Sequence, residues 1–404
     1  MDIKDLQELY AKSPQVKALT KELESGKAKT IFLEGLLASS APMVFSAVAS
    51  VHSGSTSHSP SPSSPTILFT LQDAEEAGYF YHDLTQIMGD SQVLFFPSSY
   101  RRAVKYGQKD PASEILRTEV LTRLRPTPNP SIRVEGGFIV SYPEALAEMV
   151  VTRKSLDTRT LSLHVGQTVG VDTVMATMRE YGFREVDYVY EPGQFALRGS
   201  ILDVFSFSNE YPFRIDFFGD EIDSIRTFEV ENQLSRDKRN SIDIVPELTA
   251  IEDKESIFSF LPADTILVMR DRQFIRDSIE RTFQDGFSAQ ALQERLESAT
   301  EVERHEIEHE MKRESQLITG AQFVSDSEPF RLILLSGKEA CQSSTVTTHS
   351  SLPTTRPSLL TVHFNISAQP LFHKNFDLLA KTFADYRQKG YTLYILADKI
   401  GRAS

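Results

Sequence analysis

Residues 184–228 read REVDYVYEPGQFALRGSILDVFSFSNEYPFRIDFFGDEIDSIRTF. Strand-like segments run from Phe195 to Phe207, from Tyr211 to Phe218 and from Glu221 to Phe228. Gly219-Asp220 lies between the last two as a short loop of hairpin type. Side chains alternate along a strand, so Phe213, Ile215 and Phe217 share one face and Arg214, Asp216 and Phe218 share the other. The first set is core-like. The second places an aromatic and an arginine on what should be the solvent face, and Arg198 stands on a strand just before Gly199. An exposed Phe beside Arg has the physical logic of a binding hot spot. The pattern fits equally a Phe covered by neighbouring elements and two solvated arginines. Upstream, Asp172 is expected to N-cap a short helix with an apolar stripe of Val171, Val174, Met175 and Met178, stopped at Gly182. Together these make a small α+β unit over residues 161–246.

Both flanks of this unit read differently. Thr30 to Leu33, Thr66 to Leu71, Gln92 to Phe96 and Gly137 to Ser141 are short continuous apolar runs. Helical stretches separate them, from Asp73 to Ile87 and from Ser113 to Leu124, so buried parallel strands of an α/β domain are expected. Ser53 to Pro65 is Ser/Pro-rich and reads as a surface loop. After Pro246 the α/β pattern returns, with strands at Asp264–Met269 and Phe330–Leu335 and a highly charged helix over Glu301–Gln316. A second loose stretch covers Ser343–Pro357. A further unit then starts, with a helix over Asn375–Lys389 and a strand over Tyr391–Leu396. One helix and one strand do not complete a domain, so the sequence reads as a piece of something longer.

The 404 residues suit two or three domains, and 40% hydrophobic residues are ordinary for a globular chain. A net charge of −13 speaks against a uniformly basic nucleic-acid surface, so DNA binding should be weak and indifferent to damage. The single cysteine, Cys341, has no internal disulfide partner and suits a reducing compartment. No basic-then-apolar leader and no apolar run of spanning length is present, so the expectation is a cytoplasmic protein without a membrane segment.

Four features invite a catalytic or metal-binding reading. A P-loop requires G-x-x-x-x-G-K-[ST] between a strand and a helix. Here Gly35 fills the first position, but Ser40, Ala41 and Pro42 stand where the second Gly, the Lys and the hydroxyl residue belong. Without the Lys charge and the Mg²⁺ ligand, ATP hydrolysis has no support, and locally the segment also fits an unrelated strand-to-helix turn. His305-Glu306-Ile307-Glu308-His309 matches H-E-x-x-H. Its surroundings are charged throughout and offer no third ligand, so a solvated helix is expected and no zinc. The acids Asp216, Asp220, Glu221 and Asp223 follow no calcium-loop spacing and read as charges around a turn. Cys341 has no nearby His and is not expected to be a nucleophile.

The strings FALRGSILDVF and YPFRIDFFGDEIDSIR closely resemble the amino-terminal region of bacterial transcription-repair coupling factors (Mfd), and more distantly the excision-nuclease subunit UvrB. Weaker similarity runs from about Val16 through Pro246, including Phe95 to Tyr100, and resumes from Phe364 to Leu396. Residues from about Glu252 to Leu360 match poorly. The resemblance implies a degenerate, P-loop-type helicase-like parallel-sheet domain in two segments, residues 1–160 and 247–357. A small α+β UvrA-binding domain is inserted at 161–246, and a further α/β domain begins at 358–404. It implies that Arg198, Arg214 and Phe218 contact UvrA. The stretch Tyr100 to Asp110, where UvrB carries a long aromatic damage-probing hairpin, is short here. RNA polymerase and DNA would be partners of the full-length protein through regions absent from this chain. The expected function is a non-catalytic adaptor, without cofactor, that recruits UvrA to stalled transcription. The alternative is an enzyme, either an active helicase-like ATPase or a zinc-dependent hydrolase.

Overall fold

Apolar runs without alternation have to be covered on both faces, and a parallel sheet between helices does this. The computed structural model describes residues 3–52, 65–99, 110–125, 137–248, 251, 253–287, 316–336, 359–367 and 375–394. Helices α1 (Ile3–Lys12) and α2 (Pro14–Ser25) precede β1 (Thr30–Glu34) and α3 (Ser40–His52). Then come β2 (Ile67–Thr70), α4 (Ala74–Met88), β3 (Val93–Phe95), α5 (Pro111–Leu124), β4 (Phe138–Ser141) and α6 (Pro143–Ala147). The short β5 (Val150–Val151) and α7 (Arg153–Thr158) lead into the inserted unit. That unit holds β6 (Leu161–His164), α8 (Val171–Glu180), β7 (Arg184–Glu185), β8 (Gln194–Arg198) and β9 (Ile201–Val204). It continues with β10 (Phe213–Phe218), β11 (Glu221–Phe228), β12 (Ser235–Arg239) and β13 (Ser241–Ile244). The chain returns through β14 (Lys254–Glu255), β15 (Ile266–Met269), α9 (Arg272–Phe287), α10 (Gly320–Ser327), β16 (Arg331–Ser336) and β17 (Leu359–His363).

Seven strands form one sheet in the order β17-β1-β16-β15-β2-β4-β3, and every pairing is parallel. Every residue of β2, β4 and β15 is buried, as the apolar runs require. Phe69 of β2 meets Phe45 of α3 at 4.9 Å and Phe80 of α4 at 4.8 Å between ring centroids. Asp73 caps α4 by accepting from Glu76 N at 2.9 Å, which satisfies one orphan donor of its first turn. The strand Leu359–His363, which the sequence alone places in a further domain, pairs with β1 inside this sheet.

The inserted unit carries a second sheet of six strands, β12-β11-β10-β9-β8-β7, antiparallel except where β7 meets β8. Val174, Met175 and Met178 of α8 pack on Phe195, Leu202, Val204, Phe213, Ile215 and Phe217 of its inner face. Gly182 adopts φ +82°, and Phe183 N donates to Met178 O at 2.9 Å, closing the helix as expected. Asp172 is not the cap. Val169 N donates to Asp220 O at 2.7 Å, so the chain turns into the helix at Gly170, and Asp172 falls in the first turn. The run Phe195–Phe207 is likewise two strands, because Gly199 at φ +64° makes a hairpin that pairs Arg198 with Ile201.

The unit joins its host through a stem in which β6 pairs antiparallel with β13, Leu161 opposite Ile244 and His164 opposite Ser241. Arg125, at the end of α5, reaches Asp243 and Asp157 at 3.4 Å each and Ser162 Oγ at 3.3 Å. Residues 365–404 form a separate unit. Its helix α11 (Phe376–Gln388) is capped by the Asn375 side chain, while Tyr391–Tyr394 form no strand where one is expected. Cys341, His305, His309, all of Ser343–Pro357 and most of Ser53–Pro65, Tyr100–Asp110 and Glu301–Gln316 lie outside the described residues.

Candidate functional site

The glycine loop after β1 is closed by its own side chains. Gly35 adopts φ +81°, and a Cβ there would lie 2.1 Å from the carbonyl oxygen of Phe364. Phe364 N donates to Glu34 O at 2.8 Å, so the backbone leaving β17 crosses directly over this glycine. Ser40 Oγ accepts from Leu37 N at 2.8 Å and donates to Leu37 O at 2.6 Å. A phosphate cradle needs free loop N–H groups. Here the Leu37 N–H is taken, Pro42 has none, and the Lys position is the buried methyl of Ala41. A crevice of about 420 Å³ lies beside the loop, lined in part by Leu37, Tyr79 and Asp83, and Arg270 pairs with Glu76 there at 2.7 Å.

The second candidate is the outer face of the six-stranded sheet. Phe213, Ile215 and Phe217 point into the core, and Phe218 stands 83% exposed beside the hairpin turn. Arg214 shares the parity of Phe218 but not its exposure; its side chain is only 14% exposed. The segment between β7 and β8 crosses this face and inserts Val189 into a small cluster with Ala196, Phe205 and Phe228. Arg214 lies over the Phe228 ring at 4.3 Å and donates from Nε and Nη2 to Asp203 at 2.7 and 2.9 Å. Its Nη1 donates to Gln233 O at 3.0 Å. Arg198 also donates to Asp203, lies over Tyr188 at 4.8 Å, and keeps 34% of its side chain exposed. Of the two arginines that the resemblance implies as UvrA contacts, Arg214 is thus held inside the domain, whereas Arg198 keeps an open side.

Alternation along a strand shows which face a residue takes, not what covers that face. Sequence reading missed Asp203 and Tyr188. The signal for Asp203 was present: an acid in the middle of the apolar strand Ile201-Leu202-Asp203-Val204 has to be paired when buried, and it is wholly buried. Of the turn acids, Asp216 accepts from Ser200 Oγ at 3.1 Å and from Arg226 at 3.4 Å. Among the described residues no group of His, Cys, Asp or Glu is arranged to hold a metal ion.

The inserted unit is thus a six-stranded sheet backed by one helix, with an aromatic held out beside a paired arginine, and residues 161–249 match the UvrB interaction domain family. The longer similarities are to transcription-repair-coupling factors. That of Escherichia coli is 32% identical over 150 residues, 37% of this chain and 13% of that protein. That of Bacillus subtilis is 29% identical over 198 residues, 47% of this chain and 16% of that protein. That of Haemophilus influenzae is 41% identical over 112 residues, 28% of this chain and 10% of that protein. The aligned part thus spans only 10% to 16% of these relatives, and the chain resembles their N-terminal, UvrB-like region.

Proposed function

We propose that the chain is the UvrB-like adaptor region of a transcription-repair coupling factor, docking UvrA through the outer end of its six-stranded sheet. One observation carries this reading. Phe218, on a domain matching the UvrB interaction family, is 83% exposed next to an arginine-bearing face, where a folded monomer gains nothing from it. Its large flat ring can fill an apolar pocket on the partner, and Arg198 can take a carboxylate at the rim.

The seven-stranded parallel sheet supports a helicase-like host domain whose nucleotide loop has been turned to structural use by Ser40, Ala41 and Pro42. On this reading the chain has no catalytic activity of its own. RNA polymerase and DNA are met by other parts of the full protein, and the work is done in the cytoplasm. No helix among the described residues is long and apolar enough to cross a membrane. Calorimetric titration of the chain with UvrA from the same organism tests the reading. Binding is expected, and Phe218→Ala should weaken it about thirtyfold or more. No binding by the parent, or equal binding by Phe218→Ala, would reject it.

A further inference from the structure

Resting on that docking reading, we infer that Asp203 is the positioning residue of the face. It holds Arg198 in the orientation a carboxylate-bearing partner meets, and Arg214 acts through Asp203 without touching the partner.

A carboxylate buried in the middle of a sheet is tolerated only when it is fully paired. Asp203 accepts from three guanidinium nitrogens, two on Arg214 and one on Arg198. The two arginines are not equivalent. Arg214 uses Nε and Nη2 on Asp203, uses Nη1 on Gln233 O, and has the Phe228 ring against its plane. A guanidinium has five N–H donors in one plane, and all three nitrogens of Arg214 are engaged inside the domain. Arg198 gives Asp203 only Nη2, while Nη1 reaches Asp187 O at a marginal 3.5 Å. Its exposed third lies beside Tyr188, which is itself 52% exposed.

Two cations on one buried anion leave one surplus positive charge, and it is presented at Arg198. An acidic group on the partner meets it there, next to the pocket that receives Phe218. An arginine free to swing would have to be ordered on binding, so holding it beforehand raises affinity. Arg214 then supplies the second cation that fixes Asp203 in place through its Nε and Nη2 bonds.

The test compares Arg198→Ala, Asp203→Asn, Arg214→Met and the Arg198→Ala/Asp203→Asn double variant in the full chain. UvrA affinity is read by calorimetry, thermal midpoint by calorimetry, and rotation of the Arg198 guanidinium by side-chain nitrogen NMR without UvrA. Asp203→Asn should free the Arg198 rotation and weaken UvrA binding about tenfold, the scale of one charge-assisted hydrogen bond. The double variant should bind as Arg198→Ala does, because Asp203 acts through that residue. Arg214→Met placed in the double variant should cost no further affinity. Additive losses overturn the inference, as does a further loss from Arg214→Met in that background at an unchanged midpoint. Free Arg198 rotation in the parent also overturns it, whatever the binding. If the parent fails to bind UvrA while Arg198 is held and then released by Asp203→Asn, the docking reading falls and the positioning of Arg198 by Asp203 stands.

Discussion

Replacing Gly35 with alanine separates a nucleotide loop from a structural crossing. Alanine at φ +81° carries a backbone penalty of about 1 kcal/mol. The larger effect is steric. The new methyl would sit 2.1 Å from Phe364 O and 3.2 Å from its carbonyl carbon, so one of the two backbones has to move by about 1 Å to restore ordinary contact. The segment able to move is the edge strand β17. Its departure breaks the 2.8 Å Phe364 N to Glu34 O bond, worth about 1 kcal/mol, and begins to expose Val362 and Phe364, each worth about 1.5–3 kcal/mol when fully buried. A total of about 3 kcal/mol follows for partial release, which at about 2 °C per kcal/mol in a large domain lowers the thermal midpoint by roughly 6 °C. Scanning calorimetry without nucleotide reads the midpoint, and amide exchange over Leu359–Phe364 locates the loss. A midpoint unchanged within about 1 °C, with protection of those amides intact, would refute the reasoning.

Phe217→Ala should destabilise the inserted domain by about 3–5 kcal/mol in urea unfolding, while its neighbour Phe218→Ala stays within about 0.5 kcal/mol; equal effects would mean the faces are misassigned. Burial holds the Glu119 carboxyl above its ordinary range, with Arg123 pulling the other way. A raised carboxyl favours the folded state while protonated, and that contribution is lost as pH climbs from the unfolded value of about 4.3 through the folded one. Glu119→Gln should therefore raise the thermal midpoint at pH 7 and leave it unchanged near pH 4; a constant offset across that range would contradict the assignment. The chain should release no phosphate from ATP above background, and turnover that disappears when Ser40 to Pro42 are altered would sink the claim.

The strands of the large sheet were readable because burial on both faces writes itself as uninterrupted apolar sequence, as in Ile67–Thr70 and Ile266–Met269. The order of those strands was not, since Thr30 pairs with Leu332 and Leu359, partners some three hundred residues away that no local pattern names. Gly35 shows the same limit at a candidate site. The motif showed a glycine in the first P-loop position, but what requires a glycine there is the distant Phe364 backbone. On the outer face of the six-stranded sheet, alternation separated Phe217 from Phe218 correctly, while the burial of Arg214 came with Asp203, Gln233 and the Phe228 ring, partners on other strands and loops that alternation does not name. Asp172 missed the cap because a tertiary bond from Val169 to Asp220 fixes where the helix begins.

The paired stem of β6 and β13 brings the two ends of the insert side by side. Leu161 and Ile244 face one another across a ladder, so the two chain crossings between host and insert lie about 5 Å apart. A host fold can accept such an insert at a single surface loop, since the incoming segment returns the chain almost to the point where it left. Arg125 adds a lateral grip on Asp157, Ser162 and Asp243. Cutting the module at this stem leaves the strand order of the parallel sheet untouched, because β6 and β13 pair with each other and take no place in that sheet.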